Sequence, residues 1–192
     1  MVEFEKIFGQ DYPAKGKLLV SEPFLIDPSF RRTVVLLTEH DKNGTVGFIL
    51  NRELDVGPGE AIEGFPEFKG KLFLGGPVQQ TNLFFIHTLG KKIEGSVSVK
   101  PGIWWGGNYE QIKELVRDGE IKKDQIKFFI GYSGWDAGQL DKELRVNSWI
   151  VADSSVNYLF KTPPEELWKK VLKNMGKLHG TVADYPEDPN LN

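Results

Sequence analysis

The sequence predicts an α+β fold in a single domain, and three observations lead to it. Short apolar runs rich in β-branched residues recur along the chain, with hairpin-length connections between most of them. Helical patterns are few and do not alternate regularly with the strands, so a series of βαβ units is not expected. With 192 residues, 40% of them hydrophobic and 12% aromatic, the chain has apolar material for one core.

Eight segments fit strands, each short, apolar and rich in residues that favour extended backbone. Asn43-Gly44 between the second and third of them supplies the positive φ that a tight hairpin needs. The eight predicted strands span Lys17–Val20, Thr33–Thr38, Thr45–Leu50, Lys71–Leu74, Leu83–Thr88, Ser96–Val99, Ile126–Tyr132 and Ser148–Ala152.

Two helices have clear signals. Asn108 is placed to cap the first, with Gln111 three residues later as in a capping box, and Gly119 ends it. Thr162-Pro163-Pro164 begins the second, with Glu165 placed to reach back to the cap and Gly176 as the C-cap. Five apolar residues at helical spacing form the face of this helix that docks on the core: Leu167, Trp168, Val171, Leu172 and Met175.

The densest motif runs from Gly131 to Leu144 and predicts a strand, a tight turn and a short helix. Its glycines allow positive φ or a close approach of another group to the backbone. If Gly138 ends the turn, Gln139 and Glu143 lie four residues apart on one helical face and converge on one point. The motif has no nucleophile with its base, no phosphate loop and no full set of metal ligands. It indicates a site without naming a reaction.

Together with two earlier segments, this motif resembles the AlgH/YqgE family of bacterial proteins. The first segment covers residues 16–24, 27–35, 39–40 and 47–52, and the second is Gly75-Gly76-Pro77-Val78 with the strand that ends at His87. The resemblance covers roughly residues 15–180, and the acidic tail 184–192 is expected to fray. It implies a largely antiparallel sheet that curls toward a small barrel, flanked by helices. It also brings the label of transcriptional regulator, which many members of the family carry.

Composition argues against several classes of protein. A formal charge of −3 gives no basic footprint for nucleic acid. With no cysteine, neither disulfides nor thiolate metal sites can form. The first eight residues lack the pattern of a signal peptide, and no apolar run approaches the roughly 20 residues of a membrane span. The sequence therefore predicts a cytoplasmic protein without a cofactor, a metal or a membrane contact.

Direct DNA binding is also not expected. A helix-turn-helix needs two short helices joined by a brief turn, and neither 108–117 nor 163–178 has a predicted helical neighbour. The second of these segments carries a basic face, for which solvation is the ordinary explanation. That face consists of Lys169, Lys170, Lys173 and Lys177.

Histidines at strand ends raise the question of a metal or a general base. His40 and His87 each end a predicted strand, and Glu39 adjoins the first. Neutral imidazole binds metals and titrates near neutrality. The spacing matches no metal motif, so the competing interpretation is an ordinary hydrogen-bonded histidine.

Two further pairs follow strands. Asn51 and Arg52 could bind a carboxylate or phosphate, or Arg52 could form an internal salt bridge with Glu39 or Asp27. Gly75-Gly76 could form an anion nest or simply a tight turn, since the P-loop spacing is missing.

Adjacent aromatics at Trp104-Trp105 would point to opposite faces of a strand, one toward the core and one under a loop or on a binding surface.

The best site candidates are Tyr132, Trp135, Gln139 and Glu143, and two interpretations stay open. In one, Trp135 fills the core while Gln139 and Glu143 tie down loop amides. In the other, these side chains line a pocket with an aromatic wall for a ligand or peptide. Three functions follow: a binding or adaptor protein with a regulatory role that uses the Gly131–Glu143 surface, a hydrolase or metal-dependent enzyme using Glu143 and a histidine, and a transcriptional regulator. The first is favoured, with an unknown protein partner or small ligand.

Overall fold

Nine strands form the frame of the molecule, in a computed structural model that describes residues 12–186. The strand order is β6-β7-β5-β8-β3-β2-β1-β9, and β4 pairs with β8 off this path. The strands are β1 Lys17–Ser21, β2 Val34–Asp41, β3 Gly44–Ile49, β4 Leu72–Leu74, β5 Val78–His87, β6 Val97–Lys100, β7 Ile103–Trp105, β8 Ile126–Asp136 and β9 Trp149–Asp153.

Helices connect and cover this sheet. They are α1 Pro58–Ala61, α2 Tyr109–Arg117, α3 Gln139–Arg145, α4 Val156–Phe160, α5 Pro164–Asn174 and α6 Lys177–Ala183, with a short 3-10 turn at Gly90–Lys92.

The predicted α+β class is confirmed, and the sheet is largely antiparallel, since the β4–β8 pair is its one parallel pairing in the described part of the chain. The sheet stays open rather than closing into a barrel. The sheet is nevertheless curled, and a contact between its two ends shows this. The Lys100 ammonium on β6 donates to the Ser154 carbonyl oxygen just beyond β9, at 2.8 Å. The two ends of the strand order are therefore neighbours in space.

All eight predicted strands form, with ends shifted by a few residues, and β7 is added around Trp104-Trp105. The predicted hairpin joins β2 to β3, where Asp41 pairs with Gly44 and the Asn43 amide donates to the Asp41 carboxylate at 2.7 Å. The largest shift is in β8, which continues to Asp136. The first half of the glycine-rich motif is therefore strand, and its turn comes at Ala137-Gly138.

The helix ends agree only in part with the sequence patterns. Asn108 caps α2 as predicted, its side chain accepting the Gln111 amide at 3.0 Å. The capping box predicted for the later helix is wrong: α5 follows Pro163, and no side chain caps it. The Thr162 hydroxyl instead donates to the Asn157 carbonyl oxygen. Gly176, with φ of 112°, precedes α6 rather than capping α5, a helix that the sequence analysis missed.

Three apolar clusters share β8. Phe129 belongs to the cluster inside the curled sheet, which α4 and α5 cover. Phe128 faces the opposite cluster under α2, and Trp135 belongs to a third cluster under α3. Since β8 has strand neighbours along most of its length and core on its faces, its final residues, 132–136, sit on a rigid frame.

Near the C-terminal end, Asp184 pairs with Lys169 and Lys173 at 2.9 and 3.2 Å. Tyr185 stacks on Phe24 with ring centroids 5.9 Å apart. The remaining residues of the predicted frayed tail, 187–192, and the N-terminal segment considered for a signal peptide lie outside the described residues. Between residues 12 and 186, no helix has the length and apolar character to cross a membrane.

Candidate functional site

The Glu143 carboxylate is the hub of the glycine-rich motif. One of its oxygens accepts the indole N–H groups of Trp135 at 2.9 Å and Trp149 at 2.7 Å. The other accepts the Gln139 side-chain amide at 3.0 Å. Hydrogen bonds to a charged acceptor are roughly twice as strong as neutral ones. We call these four residues the Glu143 network.

Gln139 closes this network onto the turn. Its side-chain oxygen accepts the backbone amide of Asp136 at 3.0 Å, at the point where β8 ends. Gly138 precedes α3 with φ of 72°, a conformation that glycine adopts without strain. The expected convergence of Gln139 and Glu143 is present, and their polar atoms pair inside the motif, as in the interpretation where Trp135 fills the core. Trp135 is only 5% exposed.

The opposite face of the same strands carries an open groove of about 440 Å³. Strand register places two rows of residues on this face. Glu39, Val46 and Gly134 form one row across β2, β3 and β8, and Asp41, Gly44 and Asp136 form the next. Tyr132 and Val78 close one side. We call this concavity the acidic groove.

Two glycines leave room for the groove. A Cβ added at Gly44 would lie 2.6 Å from the Trp135 carbonyl oxygen, and Gly44 has φ of 146°. A Cβ added at Gly134 would meet the Tyr132 ring at 3.3 Å. Because neither position carries a side chain, the rims of the groove stand above its floor.

The charge of the groove has one sign. Glu39, Asp41 and Asp136 are exposed carboxylates, and the described residues that line the groove include no Lys, Arg or His. Tyr132 is partly buried and packs edge-on against Phe84, with ring centroids 5.7 Å apart. The groove therefore offers negative charge beside an aromatic wall.

Asn51 and Arg52 are bound to backbone. The Asn51 side chain accepts the Val34 amide and donates to the Arg32 carbonyl oxygen, both at 2.9 Å. The Arg52 guanidinium donates to the Arg31 carbonyl oxygen. The salt bridge that the sequence offered as one alternative for Arg52 is not formed with Glu39 or Asp27, since a backbone carbonyl takes the guanidinium.

Gly75 and Gly76 lie tightly against β8. The Gly75 amide donates to the Ile130 carbonyl oxygen at 2.9 Å, and its own carbonyl oxygen accepts the Ser133 hydroxyl at 3.0 Å. A Cβ at Gly75 would lie 2.3 Å from the Gly131 carbonyl oxygen, and one at Gly76 would lie 2.3 Å from that of Tyr132. These glycines permit a close approach of two backbone segments.

The histidines lie in separate hydrogen-bond networks. His40 shares a hydrogen bond of 2.7 Å with the Thr45 hydroxyl. The buried His87 accepts the Leu89 amide at Nδ1, so its proton is on Nε2, which lies 3.1 Å from the Gly106 carbonyl oxygen and from the Ser96 hydroxyl. In this tautomer Nε2 cannot accept a proton from Ser96. Burial lowers the pKa of His87, while the Gly106 hydrogen bond opposes that shift.

Neither histidine shares the Glu143 network. Over residues 12–186, no three His, Cys, Asp or Glu side chains are grouped to hold a metal ion.

The tryptophan pair divides between two environments. Trp105 packs against the core, with its ring centroid 6.0 Å from that of Phe48. Trp104 lies beside Gly90, whose added Cβ would be 3.6 Å from the indole nitrogen. Neither tryptophan lines the acidic groove.

The basic face of the last predicted helix also has a structural role. Lys169 and Lys173 hold Asp184 beyond α6, which follows α5 after two residues. The expectation that this helix lacks a helical neighbour is therefore wrong. Of the four lysines only Lys177 lies on α6.

Sequence reasoning missed most of the groove. Glu39 was weighed only beside His40 and as a salt-bridge partner of Arg52, while Asp41 and Asp136 were not considered as site residues. The available signal was the alternation Glu39-x-Asp41 and Gly134-x-Asp136, which puts each pair on one face of a strand.

A family model described as AlgH-like matches residues 18–179. The chain belongs to the AlgH-like family. A UPF0301 protein from Chlorobaculum tepidum is 43% identical over 177 residues, which is 92% of this chain and 95% of that protein. A UPF0301 protein from Cytophaga hutchinsonii is also 43% identical, over 93% of this chain and 98% of its own.

Solved structures agree with the fold of this AlgH-like protein. A crystal structure of a Corynebacterium diphtheriae protein matches with a TM-score of 0.79 and 20% identity, covering 94% of this chain and 96% of its own. The solution structure of the AlgH protein from Pseudomonas aeruginosa matches with a TM-score of 0.71 and 24% identity, covering 93% and 98%. These likenesses extend over nearly the whole chain.

Proposed function

We propose that this AlgH-like chain is a cytoplasmic, non-enzymatic binding protein with a regulatory role, and that its acidic groove holds a basic, extended segment of a protein partner. One observation carries the proposal: three exposed carboxylates rim a concavity whose described lining residues include no cation. Charge complementarity of this kind steers encounter and selects among partners more than it adds affinity. The groove lies along the glycine-rich motif.

An extended segment suits the groove because one edge of β8 is open there. Residues 133–136 pair with β3 on one side. On the other side β5 pairs with β8 only as far as Tyr132, within the part of the chain that the structure describes. The Asp136 amide already donates to Gln139, so a peptide added along this edge would gain its backbone hydrogen bonds before that residue, and alternate side chains would face the groove.

Basic side chains suit the rims and the wall. Lys or Arg at alternate positions of the peptide would reach Glu39, Asp41 and Asp136. A cation above the exposed part of the Tyr132 ring would add an attraction of about 0.5–1 kcal/mol.

The Glu143 network supports this role from the other face. It fixes the Trp135 indole and the Asp136 amide, and both of these residues line the groove. A surface held in its bound shape loses less conformational entropy on binding. The buried hydrogen bonds of the motif thus hold the exposed residues of the groove in place.

The test compares two triple variants that remove the same charge. Glu39→Gln, Asp41→Asn and Asp136→Asn neutralise the groove. The control combines Asp118→Asn, Glu120→Gln and Asp124→Asn, which are exposed carboxylates near α2, away from the groove. The probe is a set of ten-residue peptides with Lys or Arg at alternate positions, and an acidic set of the same length, followed by fluorescence anisotropy at two salt concentrations.

We expect the basic peptides to bind the wild type and the control alike, and to bind the groove variant at least about tenfold more weakly, which is about 1.4 kcal/mol. Equal weakening in both variants would mean non-specific charge attraction, and no binding by any basic peptide would contradict the proposal. Preference for the acidic peptides would contradict it as well.

A further inference from the structure

A cavity of about 480 Å³ lies where β9 ends and α4 begins, and the C-terminal end of α5 forms its other wall. It shares no residue with the acidic groove. Its volume equals that of about 16 water molecules at roughly 30 Å³ each, and it falls within the roughly 300–1,000 Å³ of small-molecule sites. The cavity therefore has room for a ligand of about a dozen non-hydrogen atoms.

Neighbouring hydrogen bonds hold the walls of this cavity in place. The Ser154 hydroxyl donates to the Gly16 carbonyl oxygen, and the Ser154 carbonyl oxygen accepts the Lys100 ammonium at 2.8 Å. The Ser155 hydroxyl accepts the Tyr158 backbone amide at 3.2 Å and so caps α4. A site whose walls are already in place loses less conformational entropy on binding.

The lining of the cavity is close to neutral. Among the described residues, Asp153 is its one carboxylate, and no Lys, Arg or His lines it. The Asp153 carboxylate already accepts the Lys17 ammonium at 2.9 Å. An anionic ligand would therefore meet no lining cation, and a cationic ligand would compete with Lys17 for the same carboxylate. The charges favour a neutral ligand.

Polar side chains of the lining keep hydrogen-bonding capacity for such a ligand. The Asn174 side-chain amide donates to the Tyr158 hydroxyl at 2.7 Å, so the tyrosine keeps its own proton to donate. In the described part of the chain, the Asn174 side-chain oxygen and the Asn157 side-chain amide have no protein partner. Lys17 binds only one oxygen of Asp153, Oδ1. The cavity thus offers both donors and acceptors.

Apolar side chains form much of the remaining lining. They are Ala152, Val171 and Met175, and the first two are almost fully buried. A ring that carries several hydroxyl groups suits this combination, because each hydroxyl both donates and accepts hydrogen bonds while the C–H groups of the ring pack on apolar surface. Such a ring also carries no charge.

We propose that this cavity binds a neutral, polyhydroxylated small ring, either a monosaccharide or a cyclic polyol. Its hydroxyl groups donate to Asp153 and exchange hydrogen bonds with Asn157 and Asn174. Its C–H groups lie against Val171 and Met175. A ring of about twelve non-hydrogen atoms leaves part of the cavity for bridging water. This site is independent of the acidic groove, so each can exist without the other.

The test is an amide NMR titration of the full chain with neutral rings and with charged rings of similar size. The neutral probes are glucose, galactose, mannose and myo-inositol, and the charged probes are glucosamine and glucuronate. Ligands of this size reach dissociation constants on the order of 1 mM, so we expect saturable shifts in that range for at least one neutral probe. The shifts should appear at Ser154, Ser155, Asn157 and Asn174. Both charged probes should bind at least about threefold more weakly than the best neutral one.

Asn82 offers a matched control for Asn174. Both are exposed asparagines whose side-chain amide donates to a neighbouring side chain, and only Asn174 lines the cavity. Losing one hydrogen bond weakens binding about two- to tenfold, which we expect for Asn174→Ala and not for Asn82→Ala. Asn157→Ala should weaken binding similarly. Because the Asn157 side chain has no protein partner among the described residues, the fold does not depend on it.

No saturable shift with any neutral probe up to about 50 mM, roughly fifty times the expected dissociation constant, would overturn the proposal. Shifts confined to other surfaces would overturn it as well, and so would equal or tighter binding of a charged probe. Unchanged binding in both Asn174→Ala and Asn157→Ala would show that the cavity is not the site. The groove triple variant should bind the neutral probes like the wild type, because the two sites share no residue.

Discussion

The two faces of the sheet at the end of β8 carry polar groups of the same kind and use them in opposite ways. On the face that α3 covers, Glu143 accepts two indole N–H groups and an amide. On the opposite face, the carboxylates of Glu39, Asp41 and Asp136 are exposed around a floor of two glycines. Successive residues of a strand alternate between faces, so one short segment serves both. Residues of the same motif therefore hold the frame through Trp135 and line the groove through Gly134 and Asp136.

The largest expected effect comes from breaking the Glu143 network. Glu143→Ala leaves two buried indole N–H donors without their acceptor, and each unsatisfied buried donor costs about 1–3 kcal/mol. We expect the free energy of unfolding to fall by roughly 2–5 kcal/mol, measured by urea denaturation. Asp141→Ala, an exposed carboxylate on the same helix, should change it by less than about 1 kcal/mol. Similar losses in the two variants would mean that the Glu143 network does not stabilise the fold.

The two floor glycines give the next test. Gly44→Ala places a Cβ 2.6 Å from a backbone oxygen at φ of 146°, and such strain costs of order 1–3 kcal/mol. Gly134→Ala meets only the movable edge of the Tyr132 ring at 3.3 Å, so we expect a change within about 0.5 kcal/mol. Thermal unfolding of both variants checks this order. A Gly134→Ala variant as unstable as Gly44→Ala would contradict the description of the floor.

The buried histidine provides a pH test of the interior. Burial lowers the folded-state pKa of His87, so the folded protein binds its proton less well than the unfolded chain does. The resulting stability is present above the unfolded pKa of about 6.5 and is lost as pH falls below it, by at most about 1.4 kcal/mol per pH unit.

The measurement is urea unfolding of wild type and His87→Gln at several pH values between about 7.5 and 5. The wild type should lose stability more steeply than the variant as pH falls below 6.5. If the free energies of unfolding of the two proteins changed with pH in parallel, protonation of His87 would not contribute to the pH dependence of stability.

The smallest expected effect on stability comes from the carboxylates of the acidic groove. Neutralising Glu39, Asp41 and Asp136 together removes like charges on neighbouring strands, which repel by a few tenths of a kcal/mol each. We expect an unchanged or slightly raised melting temperature in the triple variant, read by calorimetry. A marked loss of stability would mean that these carboxylates stabilise the fold rather than bind a partner.

The sequence predicted the parts of the fold that local pattern determines. The strands follow from apolar β-branched runs, the β2–β3 hairpin from Asn43-Gly44, and the start of α2 from Asn108. The extent of β8 was underestimated because Gly134 and Asp136 read as turn residues, whereas pairing with β3 holds them in a strand. Likewise α6 has no capping signal of its own.

The site was harder to predict because it depends on register. The convergence of Gln139 and Glu143 follows from helical spacing alone and was predicted. That Trp149 would share the same carboxylate required β9 to be placed beside β1. Predicting the acidic groove required placing Glu39 and Asp136 two strands apart on one face of the sheet. The spacing of residues along the chain does not indicate this pairing.

The most direct test of the account is an amide NMR titration of the full chain with a peptide that carries arginine at alternate positions. Saturable shifts should appear at the floor and rim of the acidic groove, at Gly44, Val46, Gly134 and Asp136, and should weaken in the groove triple variant. Shifts confined to other surfaces, or no saturable shifts at all, would contradict the proposal that this groove binds a basic partner.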